Sequence, residues 1–272
     1  INITGTNGQT ATAMMVTSLL VAQGLRSGTY TSPHMERINE RIQLNGEPIS
    51  DGELVEMLGS IRLFEPMLAK VSSESLSYFE LMTAAALRTF ADAAVNAAVV
   101  EVGVGGRWDA TNVVDAEVAV FTNIGTDHAA YLGETRHEIA LQKAGIIKSK
   151  SFVVTGERDD ELVAIFDHAA PGRVRVLDRD FSVERNDLAV GGRMLGLRTP
   201  RARYEDVFLA LHGRFQGINA VLAIMTVEEM FDAPLHDDVV REAFELVSVP
   251  GRMEVMHRQP LCLIDGAHNV EG

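Results

Sequence analysis

A short glycine-rich segment near the start of the chain has the residue types that bind phosphate. The apolar and β-branched run INIT leads into Gly5 and Gly8, and Thr10 opens a predicted helix over 10–23. In such a strand-to-helix turn, glycines let backbone N–H groups point into one concavity, and the helix N-terminus adds partial positive charge. The Thr10 hydroxyl stands where a magnesium ligand would lie. The segment predicts a phosphate site, although the same turn can serve only as a tight connection.

Gln9 occupies the position at which phosphate-binding loops normally carry lysine. Its amide keeps an N–H donor but lacks the ammonium charge that would meet the phosphates. A hydrogen bond to a charged group contributes about 1.5–3 kcal/mol, so the loss corresponds to about ten- to a hundredfold. We therefore expect nucleotide binding to persist through backbone contacts while turnover falls.

Charged side chains follow two later predicted strands and end one helix. Glu101 ends the strand NAAVVEVG, Asp127 and His128 follow EVAVFTNI, and Lys143 lies late in a helix predicted over 134–147. Because parallel strands end at one edge of a sheet, a carboxylate and an imidazole there could hold a divalent metal. Each residue also has an ordinary interpretation, as a solvated strand-end acid, a structural histidine or a surface lysine.

Strand-like and helix-like patterns alternate along the chain, which is typical of βαβ units and a mainly parallel sheet. The predicted strands are INIT, SGTYTS, NAAVVEVG, EVAVFTNI, KSFVVTG, RVRVLD and PLCLID, and the predicted helices cover 10–23, 51–70, 78–94, 134–147, 158–168, 217–231 and 236–246. Short alternating runs between about 172 and 212 indicate a small antiparallel sheet. The expected fold is α/β, a P-loop-type parallel sheet flanked by helices with an antiparallel subsheet.

Composition excludes several classes of partner. The 272 residues carry 24 basic and 38 acidic side chains, a formal charge of −14, which repels nucleic acid and anionic membranes. The sequence has no apolar run near the roughly 20 residues that span a bilayer.

The single cysteine, Cys262 in PLCLI, is predicted to be a core residue and indicates a reducing cytoplasm. The chain begins without Met and stops at AHNVEG, so both ends look cut.

Several segments together resemble the Mur ligase superfamily, and within it the dihydrofolate synthase/folylpolyglutamate synthase family. In order, they are GTNG-x-T, TSPHMERINERIQLNGEPIS, LSYFELMTAAAL, EVGVGGRWDATN, IGTDH, KAGIIK, PGRMEV and DGAHN. The likeness covers essentially all 272 residues. It implies a central ATP-binding domain over 1–258 and, over 259–272, the first strand of a truncated, Rossmann-like C-terminal glutamate ligase domain.

The resemblance also implies roles for individual residues. Nucleotide contacts fall on Gly5, Thr6, Asn7, Gly8, Gln9, Thr10, Asn219, Arg252, Asp265 and His268. Magnesium ligands fall on Thr10, Glu101 and His128, and a carbamylated Lys143 would bind a second metal; Glu101, His128 and Lys143 form the catalytic set. Pterin contacts fall on Ser77, Phe79, Asp109 and Ala110, with Ser32, Pro33 and His34 near the same cleft. The chain departs from the family at Gln9 and at Gln142, where members often have glutamate.

By this resemblance the chain is a cytoplasmic, monomeric ligase that uses ATP and Mg²⁺ to add L-glutamate to dihydropteroate and/or folylpolyglutamate through an acyl phosphate. Two alternatives stay open. The protein could bind nucleotide with impaired catalysis because of Gln9. It could also be another Mur-type amino-acid ligase, for peptidoglycan or cyanophycin, which the SPH and GGRWDATN segments disfavour.

Overall fold

A large, mainly parallel sheet flanked by helices forms the body of the protein in the computed structural model, which describes residues 1–68, 70, 75–270 and 272. The strands are β1 Asn2–Thr4, β2 Ser27–Tyr30, β3 Ile42–Leu44, β4 Glu47–Pro48, β5 Ala97–Glu101, β6 Val118–Phe121, β7 Phe152–Thr155, β8 Val174–Val176, β9 Ser182–Ala189, β10 Gly192–Arg198, β11 Arg203–Leu209, β12 Glu254–Arg258 and β13 Leu261–Ile264. The helices are α1 Gln9–Ala22, α2 Asp51–Arg62, α3 Glu65–Leu68, α4 Tyr78–Asp92, α5 Ala129–Leu132, α6 Arg136–Lys143, α7 Asp160–Ala169, α8 Phe215–Phe231 and α9 Asp237–Leu246.

The strand order of the large sheet is β4-β3-β2-β5-β1-β6-β7-β8. The six strands from β2 to β8 in that order run parallel, and β3 and β4 pair antiparallel at one edge. β1 lies between β5 and β6, with Asn2 opposite Val100 on one side and Ala119 on the other. All three strands therefore end at the same edge, where phosphate-type ligands bind in such sheets. The predicted fold class is confirmed.

Helices α1 and α8 cover the centre of the sheet from one side. Both are apolar around much of their circumference, and 13 of the 17 residues of α8 are buried. Burial on all sides is the usual reason for such a pattern in a globular protein. The packing of α1 against α8 fixes the N-terminus of α1, and with it the glycine-rich loop, at the sheet edge.

The predicted antiparallel sheet is also present, as β9, β10 and β11. It packs on α8 and α9, and a polar cluster lies in that interface. Glu228 of α8 is fully buried and accepts hydrogen bonds from the Tyr204 hydroxyl at 2.6 Å and the Thr199 hydroxyl at 3.1 Å. Burial raises the pKa of Glu228, and the two hydrogen bonds only partly oppose that effect.

Two predicted features differ from the structure. The helix expected over 51–70 ends at Arg62, and the short α3 follows after a turn, while residue 69 lies outside the described part of the chain. The core placement of Cys262 is wrong, because β13 pairs only with β12 in the described chain and all four of its residues are exposed. The proposed boundary near 258 stays a prediction.

Candidate functional site

A cavity of about 630 Å³ opens at the carboxyl ends of β1, β5 and β6. It brings together most of the residues singled out in the sequence. Its lining includes Gly5, Thr6, Asn7, Gly8, Gln9, Thr10, Ser32, Pro33, Glu101, Asp127, His128, Lys143, Asn219, Arg252, Asp265 and His268. His34, Ser77, Phe79, Asp109 and Ala110 are not part of this lining.

The glycine-rich loop joins β1 to α1 and is held by the loop after β6. The backbone N–H groups of Thr6 and Asn7 both donate to Asn123 Oδ1, at 3.1 and 2.9 Å. Gly8 precedes α1 in the left-handed region, with φ of 84°. A Cβ at Gly8 would collide with the side chain of Asn219, so both the conformation and the space require glycine. The loop is therefore a fixed concavity at a helix N-terminus.

Gln9 directs its amide back into the loop. Its Nε2 donates to the Gly5 carbonyl oxygen at 2.7 Å, and the Lys143 Nζ donates to the same oxygen at 2.5 Å. Lys143 is only 4% exposed, although the sequence pattern allowed a surface lysine. Burial lowers the pKa of Lys143 to about 8, against the attraction of Asp127 and Asp109. The Lys143 ammonium therefore contacts the loop backbone at Gly5, whereas the side chain at position 9 carries no charge.

Glu101 lies at the end of β5, beside the start of α1. One carboxylate oxygen accepts from the Thr10 hydroxyl at 2.9 Å, and the other accepts from the Ser32 backbone N–H at 2.9 Å. Burial raises the pKa of Glu101 to about 7, although these hydrogen bonds and the charges of Arg252 and Arg41 oppose the shift. A cation bound beside Glu101 and the Thr10 hydroxyl would stabilise the ionised form of the Glu101 carboxyl group.

The donor set fits magnesium. The described residues contain no cluster of three or more His, Cys, Asp or Glu side chains that could form an all-protein cage. Magnesium does not need one, because it commonly keeps several waters and binds one or two carboxylates plus substrate phosphates. Glu101 and Thr10 offer this kind of partial coordination, and His128, exposed at the N-terminus of α5, lines the same cavity.

Asp127 connects the cavity wall to the C-terminal segment. Its Oδ2 accepts from Asn269 Nδ2 at 3.0 Å and lies 3.6 Å from His268 Nε2, and its Oδ1 accepts from the His128 N–H at 2.7 Å. Desolvation opposes ionisation of Asp127, but the hydrogen bonds to Asn269 and His128 outweigh it and lower the pKa. Asp127 is therefore a carboxylate at neutral pH.

The residues expected to contact a pterin form a separate group next to the cavity. The Phe79 ring and the Asp109 carboxylate both border Gly103, a cavity-lining residue, and a Cβ on Gly103 would collide with the ring. Asp109 accepts hydrogen bonds from the Val104 N–H and from both the N–H and the hydroxyl of Thr111. A carboxylate has about four acceptor sites, so one remains for a ligand N–H.

Ser77 and His34, two other sequence candidates, make contacts within the protein. The Ser77 side chain caps α4 by accepting from the Glu80 N–H, in a capping box. His34 Nδ1 accepts from Arg41 Nε at 2.9 Å. These contacts give both residues a local structural role.

Sequence reasoning missed several residues of the site. Asn123 holds the glycine-rich loop, Asn269 contacts it from the C-terminal segment, and Gly156, Phe215 and Ile218 line the cavity. Asn123 lies in the predicted strand EVAVFTNI and Asn269 in the segment DGAHN, but neither segment predicts the contacts that these side chains make. Phe215 lies four residues before Asn219, to which the resemblance assigns a nucleotide contact.

Comparison with known proteins agrees with this geometry. The Mur ligase middle domain family matches residues 3–227. The dihydrofolate synthase/folylpolyglutamate synthases of Mycobacterium tuberculosis and Bacillus subtilis are 41% and 36% identical to the chain; both alignments include all of it but only 60% and 65% of the relatives. The chain thus spans about three fifths of the length of these relatives.

Solved structures give the same assignment. The Mycobacterium tuberculosis folylpolyglutamate synthase complexed with ADP is 43% identical, with a TM-score of 0.94 over 99% of this chain and 62% of that one. An FPGS–AMPPCP–folate complex is 35% identical, with a TM-score of 0.94 over 99% of this chain and 68% of that one. The chain belongs to the Mur ligase family and, within it, to the dihydrofolate synthase/folylpolyglutamate synthase branch.

Proposed function

We propose that the chain is the nucleotide-binding part of an ATP-dependent ligase that adds L-glutamate to dihydropteroate and/or folylpolyglutamate. The observation that carries this proposal is the convergence of the glycine-rich loop, the Glu101–Thr10 pair and Lys143 on one cavity at the sheet edge. Relatives of the same branch have been solved with ADP, AMPPCP and folate, which supports these ligand classes.

The loop and the residues around it are proposed to hold the triphosphate. The N–H groups of Thr6 and Asn7 donate to Asn123, so the backbone N–H groups from Gly8 to Thr10, at the N-terminus of α1, supply the positive potential without requiring a side-chain charge at position 9. Asn219, Arg252, Asp265 and His268, which also line the cavity, are proposed contacts to the rest of the nucleotide. Phe215 and Ile218 also line the cavity and are proposed apolar contacts for the base.

Magnesium is proposed to bind Thr10 and Glu101, with His128 close by. When bound, this metal ion neutralises phosphate charge and orients the transferred group. Lys143 donates to the Gly5 carbonyl oxygen and, as an ammonium, is no metal ligand. Only carbamylation, which converts the amine to an anionic carbamate, would make Lys143 a ligand for a second metal ion.

The proposed reaction has two steps. An oxygen of the substrate carboxylate attacks the γ-phosphorus of ATP, the bond to the bridging oxygen breaks, and ADP leaves with that electron pair. The amine of L-glutamate then attacks the acyl carbon, loses a proton, and expels phosphate through a tetrahedral intermediate. Most of the catalytic demand is for positioning and charge stabilisation, which a rigid loop and fixed cations can meet. Phe79 and Asp109 are proposed to orient the pterin ring beside Gly103.

A second candidate is a nucleotide-binding relative with impaired catalysis. It is favoured by the Gln9 side chain, whose amide donates to Gly5 within the loop and carries no charge to meet a phosphate. The two candidates differ in turnover and agree on nucleotide binding.

Phosphate release from MgATP tests the proposal, with the protein expressed at its full natural length. We expect release that requires both dihydropteroate, or a folate, and L-glutamate, and a product heavier by one glutamyl residue. Nucleotide binding without release by the parent, together with release by Gln9→Lys, would support the impaired relative. Release with other amino-acid or acid substrates alone would assign another Mur-type reaction, and absence of both binding and release would refute the proposal.

Location and assembly are part of the same proposal, in which the enzyme is a cytoplasmic monomer. Among the residues that the structure describes, no helix has the length and apolarity needed to cross a bilayer. Light scattering after size exclusion tests the monomer, and fractionation of the source cells tests the location.

A further inference from the structure

The segment after β13 returns to the cavity and contacts the glycine-rich loop through one side chain. Asn7 Nδ2 donates to Asn269 Oδ1 at 3.0 Å, and Asn269 Nδ2 donates back to Asn7 Oδ1 at 3.1 Å. The two amides form a reciprocal pair between residues 262 positions apart. Asn269 is not itself among the residues that line the cavity, so any effect of its side chain on a ligand there passes through the two lining residues that it contacts, Asn7 and Asp127.

The orientation of the Asn269 amide is fixed by its remaining hydrogen bonds. Its second N–H donates to Asp127 Oδ2 at 3.0 Å, and its oxygen also accepts from the Gly272 N–H at 2.9 Å. A side-chain amide has two N–H donors and one carbonyl oxygen, and all of them are used. Aspartate at this position would lose both donations and would place its charge beside Asp127.

Asn7 links the contact with Asn269 to the shape of the loop, because its backbone is also held in place. Its N–H donates to Asn123 Oδ1 at 2.9 Å, and its carbonyl oxygen accepts from the Thr122 hydroxyl at 2.6 Å. The loop after β6 therefore holds the Asn7 backbone on one side, and Asn269 holds its side chain on another. The next residue, Gly8, has the positive φ that turns the loop into α1.

The segment that carries Asn269 is itself anchored. The Gly266 N–H donates to the Gly251 carbonyl oxygen at 2.9 Å, and Asp265 accepts from the N–H groups of Met253 and Ala267, both at 2.8 Å. Asn269 therefore extends from a fixed base, which lets a single side chain restrain the loop.

We propose that Asn269 is a positioning residue that holds the glycine-rich loop in its nucleotide-binding shape by pairing with Asn7. The inference rests on the proposed function, because it takes a nucleotide as the ligand of this loop. Nucleotide binding and docking of the segment 265–270 are then coupled, and the coupling is reciprocal. A bound nucleotide stabilises the docked segment, and the docked segment raises the affinity for the nucleotide.

Titration calorimetry with Mg·ADP and Mg·AMPPCP tests the inference, on the protein at its full natural length. We expect Asn269→Ala to raise both dissociation constants about tenfold, the effect of losing one to two net hydrogen bonds. Asn7→Ala should weaken binding at least as much. The double variant should bind within about twofold of Asn7→Ala, since the pair is already broken in the single variant. Independent effects that multiply in the double variant would overturn the inference.

Two further measurements separate positioning from a general loss of structure. Hydrogen exchange in the segment 265–270 should slow when Mg·ADP binds to the parent and should slow less when it binds to Asn269→Ala, in which only the proposed contacts of Asp265 and His268 remain. In turnover assays the KM for ATP should rise, while kcat at saturating ATP stays within about twofold. Asn269→Asp keeps the size of the side chain and should weaken binding at least as much as Asn269→Ala, because its charge lies beside Asp127. Gln259→Ala, an exposed change in the turn between β12 and β13, is the matched control and should leave binding unchanged.

The outcomes distinguish the inference from the proposed function. If the parent binds both nucleotides and Asn269→Ala binds them equally well, the inference is refuted and the proposed function stands. If the parent binds neither nucleotide, both are refuted. A similar drop in the melting temperature of Gln259→Ala and Asn269→Ala, with equal loss of affinity, would assign Asn269 a structural role only.

Discussion

Gln9→Lys tests whether the missing charge limits this site. In the parent, Gln9 Nε2 donates to the Gly5 carbonyl oxygen, which also accepts from the Lys143 ammonium at 2.5 Å. A lysine at position 9 that turned back toward Gly5 would approach this like charge. The new ammonium is therefore expected to extend into the cavity, which Gln9 already lines, and to meet the phosphates of a bound nucleotide.

The expected gain follows from two opposing effects. A hydrogen bond between an ammonium and a phosphate contributes about 1.5–3 kcal/mol, and the lost amide bond to Gly5 costs about 1 kcal/mol. The net gain of about 0.5–2 kcal/mol corresponds to about two- to thirtyfold tighter MgATP binding or faster turnover. Turnover should improve more than binding if the charge meets the group that moves in the transition state.

The assay is phosphate release with saturating dihydropteroate and L-glutamate, with MgATP affinity measured separately by calorimetry. Gln9→Met is the matched control, because it has similar length but neither charge nor an N–H donor, and it should perform no better than the parent. If Gln9→Lys changes neither affinity nor kcat by more than about twofold, the charge at position 9 is unimportant and the reasoning fails. If Gln9→Met also improves turnover, release of the loop, and not charge, explains the gain.

Three other changes have defined outcomes. Glu101→Gln removes the only carboxylate within hydrogen-bond distance of Thr10 among the described residues, and we expect about a tenfold loss in the magnesium-dependent part of ADP affinity, measured with and without Mg²⁺. Gly8→Ala forces a Cβ into a residue with φ of 84° and against Asn219, so nucleotide affinity should fall more than tenfold in calorimetry. Glu228→Gln should flatten the pH dependence of the melting temperature above pH 4.5, the ordinary pKa of this carboxyl group.

The sign of the pH effect follows from the raised pKa of Glu228. Above the ordinary value of 4.5, the folded state binds a proton there more readily than the unfolded state, so stability falls as pH rises through the folded pKa. Glutamine keeps an oxygen for Tyr204 and Thr199 and has no such titration. A parent whose stability rises through this range relative to Glu228→Gln would contradict this prediction.

The other two changes have their own refuting outcomes. Equal ADP affinity of Glu101→Gln and the parent in Mg²⁺ would refute Glu101 as a magnesium ligand. Normal nucleotide binding by Gly8→Ala would show that the loop tolerates a side chain.

Much of the fold could be predicted from the sequence because its signals are local. Strands such as EVAVFTNI are apolar on both faces, and the alternation of strand and helix signals along the chain leaves few arrangements other than a mainly parallel sheet. Two capping boxes, Ser77 with Glu80 and Thr135 with Glu138, begin helices in the structure and were not recognised in the sequence, although their spacing is a local signal. The hairpin of β3 and β4 was missed, although Asn45-Gly46 between two short strands is a known hairpin signal.

Long-range contacts of polar side chains could not be predicted in the same way. The burial of Lys143 depends on how α6 ends near the residues that follow β1, and the pairing of Asn7 with Asn269 depends on where the C-terminal segment returns. Nothing in the local pattern of either segment fixes these distances. The error at Cys262 has a related cause, because an apolar run predicts burial only if another element covers it.

The charges that line the cavity explain why the site should depend on its backbone and on a metal ion. Among the described lining residues, the cations Lys143, Arg158 and Arg252 are matched by the acids Glu101, Asp127 and Asp265. Side chains alone therefore give little net attraction for a triphosphate in a protein of formal charge −14. The favourable potential is therefore expected to come from the N–H groups at the N-terminus of α1 and from a magnesium ion beside Glu101. With Gln9 uncharged, precise placement of the loop by Asn123 and Asn269 carries more of the binding energy than it would in a loop with lysine.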